Sequence, residues 1–246
     1  MRQITGKGAA LLSNLKAMNP AQSSAALGSL FPAGAAAAEL RVPGDPDLLL
    51  PTEADHLARA VPARLQQFAA GRLCARRALA QFGIEDFPLR AAADRQPIWP
   101  PSMAGSITHT AGFCAAVVAE RARIRALGLD SEVVGEVNVE IWPSICSPAE
   151  IDWVGSRQSA QRAAAVTLVF SAKEAFYKCQ YPLAGEGVGF HDVCIEAPQF
   201  GGSSGVFQVH ALRPLELARH AAPPWMGRYL FHEGFVTAGI GLAAGL

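Results

Sequence analysis

Apolar residues recur with two different periods along this chain, and the changes of period mark its elements. Helical spacing runs over residues 62–82, with Pro62 suited to a first turn and Gly83 to a C-terminal stop. A second helical stretch, residues 163–176, is almost wholly apolar or small. Strand-type runs occupy residues 106–110 and 113–119, joined at Ala111 and Gly112, and then residues 124–129. Further runs at 193–196, 206–212 and 229–240 follow, the first two separated by a Gly/Ser cluster from Gly201 to Gly205. Residues 43–51 read as a turn-rich loop, and residues 1–29, rich in Ala, Gly and Ser, are expected to be loosely held. The order of elements lacks the regular strand–helix repeat of a doubly wound sheet. The pattern therefore predicts an α+β chain with antiparallel sheets.

Charges that interrupt these apolar stripes are the informative positions. Glu174 falls on the same side of its helix as Val166, Phe170 and Tyr177, where a carboxylate needs compensation from a metal ion or a charged ligand. Its spacing to Lys178 also fits an ordinary helix-surface pair. Upstream, the apolar run Leu127-Gly128-Leu129 leads into Asp130-Ser131-Glu132. On a strand Asp130 and Glu132 share a face and repel unless a cation lies between them. Two strand carboxylates and one helix carboxylate would form a hard-oxygen site of the Mg²⁺ kind. Arg72 is the basic counterpart, within the stripe of Leu65, Phe68 and Leu79 and beside Arg64 and Arg76. It either snorkels to water or meets a phosphate.

Composition narrows the class. Half of the 246 residues are hydrophobic and 17% are charged, enough for one large domain or two ordinary ones. No apolar run approaches a membrane-spanning length, and the N-terminus has no secretory pattern. Five widely spaced cysteines without a Cys-x-x-Cys pair fit reduced thiols in the cytoplasm rather than zinc or disulfides. The net charge of zero is unevenly spread: residues 1–126 carry 14 Lys and Arg against 9 Asp and Glu, the remainder 7 against 12. A phosphate-rich ligand on a basic wall, bridged by metal to an acidic wall, suits that asymmetry. Nucleic acid fits poorly, since there is no long basic run.

The pair Gly128-Leu-Asp130-Ser-Glu132 and Phe170-Ser-Ala-Lys173-Glu174-Ala-Phe-Tyr-Lys178 resembles the signature motifs of the 4′-phosphopantetheinyl transferases, especially those serving siderophore, polyketide and nonribosomal peptide synthesis. Leu30-Phe31-Pro32, Phe68-Ala-Ala-Gly71-Arg72, Arg95-Gln96-Pro97-Ile-Trp99 and Gly105-Ser-Ile-Thr108-His109 follow in the same order, so the resemblance runs from about residue 30 to the C-terminus. Ser131 departs from the pattern, where an apolar residue is more usual.

The resemblance implies a pseudo-dimer of two similar α+β lobes, residues 30–126 and 127–246, with the active site between them. It implies transfer of the phosphopantetheine arm of coenzyme A to a serine of an acyl- or peptidyl-carrier protein, with release of 3′,5′-adenosine bisphosphate. Mg²⁺ would lie on Asp130, Glu132 and Glu174, and Lys173 or Lys178 would stabilise charge on the phosphates. Thr108 and His109 would contact the phosphates of coenzyme A with Arg64 and Arg72, while Arg95, Gln96 and Pro97 would line its nucleotide end. Glu174 is the candidate general base, directly or through a metal-bound water. Trp99 and Trp142 read as packing residues. Part of the carrier-protein surface is expected at the apolar segment 181–190. The enzyme is expected to be a cytoplasmic monomer. The same carboxylates would also serve a metal-dependent phosphoesterase, and a catalytically silent binding module is the non-enzymatic alternative.

Overall fold

The computed structural model describes residues 21–41, 43–53, 57 and 60–245. Most of the segment expected to be loosely held, residues 1–20, lies outside them. Residues 21–28 do not fit that expectation: they form helix α1 (Ala21–Gly28), whose Leu27 is buried.

Two antiparallel sheets form the framework. The first, in the order β1-β3-β2, contains β1 (Ala35–Leu40), β2 (Met103–Thr110) and β3 (Phe113–Glu120). The second, in the order β4-β8-β7-β6-β5, contains β4 (Ile124–Val133), β5 (Val193–Glu196), β6 (Ser204–Ala211), β7 (Trp225–His232) and β8 (Phe235–Ala243). The α+β class with antiparallel sheets is as the pattern predicts. Two strands are not. β1 is hidden in an alanine-rich stretch, Ala35 to Ala38, with no β-branched residue to mark it. The run 229–240 is a hairpin rather than one strand, because Glu233 and Gly234 both take positive φ, 48° and 86°, and turn the chain.

Each sheet carries a long helix. Helix α2 (Pro62–Ala80) lays Ala70, Cys74, Ala75, Ala78 and Leu79 on the first sheet, against Cys114, Ala116 and Val118 of β3. The alternate β3 residues, Phe113, Ala115, Val117 and Ala119, face the other way and pack with Ile124, Leu127 and Leu129 of β4. Both faces of β3 are therefore buried, which explains its nearly unbroken apolar sequence. In the second half, the short helices α3 (Trp142–Ile145) and α4 (Pro148–Gly155) precede the long α5 (Ser159–Ala184). Helix α5 buries Ala165, Val166, Leu168, Val169, Ala172 and Phe176 on the second sheet. It ends where Gly185 turns left-handed (φ 63°) and donates its N–H to the Tyr181 carbonyl.

The sheets meet along β2 and β4, and side chains make the seam. Ser106 and Thr108 of β2 accept the backbone N–H groups of Leu129 and Ser131 at 3.0 and 2.9 Å. Both hydroxyls are buried, so the strand order passes from one sheet to the other without leaving those amides unsatisfied.

Candidate active site

The seam brings the acidic motif beside α5. Gly128 of β4 faces the backbone of α5 so closely that a Cβ there would overlap the Ala175 carbonyl. Ser171 Oγ adds a bond to the Asp130 carbonyl at 3.1 Å. This close approach sets Asp130 and Glu132 opposite Glu174 and Lys178. Lys178 Nζ lies 2.7 Å from Asp130 Oδ1 and 3.3 Å from the Leu129 carbonyl, and Thr108 Oγ1 lies 3.4 Å from the same Asp130 oxygen.

Three carboxylates in this enclosure are more than one ammonium neutralises. Burial pushes the Glu132 carboxyl up to about 8, with the charges of Asp130 and Glu174 adding to the rise and Lys178 opposing it. Burial also raises Glu174, with Lys178 opposing and Asp130 reinforcing. Asp130 Oδ2 is buried with no hydrogen-bond partner. An orphaned carboxylate oxygen beside two carboxyl groups whose ionisation is opposed by burial fits a hard divalent cation. Among the described residues no three such groups already converge as a metal cluster; Lys178 instead occupies the position next to Asp130.

The basic groups line a cavity of about 410 Å³, bounded by Arg64, Phe68, Arg72, Arg95, Pro97 and His109, among others. Arg72 is buried, with its guanidinium over the Phe68 ring at 3.9 Å and its Nε donating to the Leu89 carbonyl at 2.8 Å. Burial lowers it to about 10, and Arg76 and Arg64 add to the fall against the opposing Glu53. Arg76 does not await a ligand: it pairs at 2.6 Å with Glu53, a buried carboxylate that also accepts the N–H groups of Leu50 and Leu89. His109 Nε2 lies 3.1 Å from Arg64 Nη1. Arginine only donates, so that nitrogen accepts and the ring is neutral there. Loss of water around the ring, then Arg64 and Lys178, hold its pKa below the usual value.

Arg95, Gln96 and Pro97 sit on a tight turn closed by the bond from the Ala92 N–H to the Gln96 carbonyl. They line a larger cleft of about 850 Å³ that runs past Gly105, Arg125 and Lys178 to the end of α5. Arg95 and Pro97 belong to both hollows, which joins them. Trp99 rests on Gly105, leaving no room for a Cβ, and Trp142 donates its indole N–H to the Val137 carbonyl; both pack, as expected. Ser131 is no weak point behind the carboxylates. Its hydroxyl bonds Thr237 Oγ1 at 2.8 Å, and Thr237 in turn bonds His232 at 2.8 Å.

One expectation needs correction. Lys173 is not brought to the acidic cluster. Its buried ammonium donates to Glu150 Oε2, the Ile145 carbonyl and the Phe190 carbonyl at 2.7, 2.8 and 2.7 Å, so its three N–H groups are spent. Glu150 was missed in the sequence, where its only signal is the Ser147-Pro-Ala-Glu150 capping box that opens α4. In the apolar segment 181–190, Leu183, Val188 and Phe190 pack against the core yet stay half-buried, with Pro182 and Gly189 exposed beside them.

Comparison with known proteins agrees with this architecture. Residues 52–119 match the 4′-phosphopantetheinyl transferase N-terminal domain, and residues 126–221 match the 4′-phosphopantetheinyl transferase superfamily. The chain is 36% identical over 207 residues to the 4′-phosphopantetheinyl transferase Svp of Streptomyces mobaraensis, covering 82% of each chain. It is 32% identical over 221 residues to Npt of Nocardia iowensis, covering 87% of this chain and 99% of the relative. The chain belongs to the 4′-phosphopantetheinyl transferase superfamily. A third transferase, PptT of Mycobacterium tuberculosis, is 37% identical over 151 residues, covering 59% of this chain and 64% of the relative. The two matched regions divide between residues 119 and 126, at the link from β3 to β4. Among the described residues of this transferase no helix is long and apolar enough to cross a membrane.

Proposed function

We propose that this transferase moves the 4′-phosphopantetheine arm of coenzyme A to a serine hydroxyl of an acyl- or peptidyl-carrier protein, in a Mg²⁺-dependent reaction that releases 3′,5′-adenosine bisphosphate. The observation that carries the reading is the juxtaposition across the β2–β4 seam. Thr108 contacts Asp130 of the acidic cluster, and the next residue, His109, belongs to the basic cavity. In the same reading residues 30–126 form the lobe that holds coenzyme A and residues 127–246 the lobe that supplies the acidic groups.

Arg64, Arg72 and His109 would receive the phosphates of coenzyme A, and their crowding relaxes when an anion enters. Arg95, Gln96 and Pro97 would lie along the nucleotide. Asp130, Glu132 and Glu174 would hold Mg²⁺, which supplies neutralisation of charge on the pyrophosphate when bound. Lys178, now on Asp130 Oδ1, would turn to the transferring phosphate as the cation takes over that carboxylate. Glu174 would take the proton of the serine hydroxyl, directly or through an intervening water. The serine oxygen then attacks the β-phosphorus, and the bond to the bisphosphate leaving group breaks. Positioning and charge neutralisation do most of the work in such a transfer.

Intact mass of an apo carrier protein incubated with this protein, coenzyme A and Mg²⁺ tests the reading. A gain of one phosphopantetheine that disappears with chelator is the expected result. Bisphosphate release without carrier protein would favour a phosphoesterase instead.

A further inference from the structure

The Lys173–Glu150 pair is a fully hydrogen-bonded ionic contact in the protein interior and has no role in the scheme above. Each side chain is 1% exposed. Besides the lysine, Glu150 accepts the Ser147 N–H on Oε2 at 2.6 Å and the Ile195 N–H on Oε1 at 2.7 Å. Lys173 adds the carbonyls that end α3 and precede β5. One pair therefore fastens α5 to the end of α3, the start of α4, the Phe190 turn and β5.

What these anchors enclose is a groove of about 190 Å³. Glu174, Phe176 and Tyr177 form one side, and Val188, Gly189 and Phe190 the other. Lys173 lines the same groove but spends its charge behind the wall. Drawing that ammonium out towards a phosphate would break three hydrogen bonds and strand a buried carboxylate. The basic cavity on the other side of the seam already supplies three arginines and a histidine.

We infer that Lys173 and Glu150 act as positioning residues for the acceptor. The pair fixes the Phe190 wall at the distance from Glu174 that admits the serine-bearing segment of the carrier protein, and it does not contact coenzyme A. This rests on the reading of Glu174 as the group that meets the serine.

The test compares Glu150→Gln, Lys173→Met and the double variant of the full-length protein. Affinity for coenzyme A is measured by calorimetry. The KM for an apo carrier protein is measured at saturating coenzyme A and Mg²⁺, well below each melting temperature. Glu150→Gln keeps the lysine charge, yet its carrier-protein KM is expected to rise about tenfold or more, as misplacement of a reacting group commonly costs. Lys173→Met should do the same, the double variant should be no worse than the worse single, and coenzyme A affinity should stay within about twofold because the residues act as one unit. Weaker coenzyme A binding in Lys173→Met but not in Glu150→Gln would overturn the inference and return Lys173 to the phosphates. A lower melting temperature with unchanged carrier-protein KM would overturn it too, leaving a purely structural pair. If Lys173→Met does not fold, Glu150→Gln decides by the same criteria. Glu174→Gln separates the two layers: normal turnover in that variant would sink the underlying reading of the groove, whatever the pair does.

Discussion

Gly128 and Ala175 touch backbone to backbone, with the α-carbon of the strand residue against the carbonyl of the helix residue. That contact sets the depth at which α5 lies on β4. Gly128→Ala must therefore push the helix outward or bend the strand, at a cost of about 1–3 kcal/mol for overpacking. Because Glu174 and Lys178 travel with the helix, transfer to carrier protein should fall far more than stability does. Thermal melting and carrier-protein mass together check this. Full activity in Gly128→Ala would show that the strand–helix spacing does not govern the site.

Thr108 offers a finer probe of the same region. Its oxygen accepts the Ser131 N–H at 2.9 Å and stands 3.4 Å from Asp130 Oδ1. Thr108→Val preserves shape but leaves a buried amide without an acceptor, which costs about 1–3 kcal/mol. Thr108→Ser keeps the oxygen and should recover most of both stability and turnover. Equal losses in the two variants would mean that the threonine methyl matters as much as the hydroxyl.

How far the chain reveals this arrangement depends on the kind of signal. The acidic motif and the helix motif are local patterns, so Asp130, Glu132, Glu174 and Lys178 are legible, as is the helix that carries Arg72. The pairing of Lys173 with Glu150 is not, because 23 residues separate partners whose meeting is decided by how α4 and α5 pack. Arg76 is misleading for the same reason: nothing local shows that Glu53, in a turn before α2, is its counter-ion. β1 escapes because alanine carries almost no strand preference, and only its register against β3 makes it a strand.

Metal-free stability should depend on pH through Glu132. Its carboxyl is raised from 4.5 to about 8 in the folded protein. Between those values the folded state keeps a proton that the unfolded state has released, so stability falls as pH rises through the window. Glu174, raised as well, adds to the same slope. Glu132→Gln should flatten the dependence and raise the metal-free melting temperature near pH 8, while abolishing transfer. Mg²⁺ should stabilise the wild type more above pH 8 than near pH 6, since it competes with protons for the carboxylates. A metal-free melting temperature that rises with pH from 5 to 8 would contradict this reading of the cluster.

Binding of coenzyme A should depend on the two arms of the basic cavity to different degrees. Arg72 is fixed by Phe68 and Leu89 and is depressed to about 10 mainly by burial, so an entering phosphate restores charge compensation at little conformational cost. Arg72→Ala should weaken binding about 10- to 100-fold, the range for losing a hydrogen bond to a charged group, and should also lower the melting temperature because the arginine stem is part of the packing. His109→Ala removes a ring that lines the cavity and belongs to no core cluster, so its effect should be confined to binding. Neutral His109 is already hydrogen-bonded to Arg64, and deleting it frees that arginine to compensate in part; the loss should be smaller than for Arg72→Ala. Calorimetry with coenzyme A and with dephospho-coenzyme A assigns the contacts. A loss confined to coenzyme A places the residue on the 3′-phosphate, and equal losses place it on the pyrophosphate. Unchanged affinity for both ligands in both variants would remove coenzyme A from this cavity altogether.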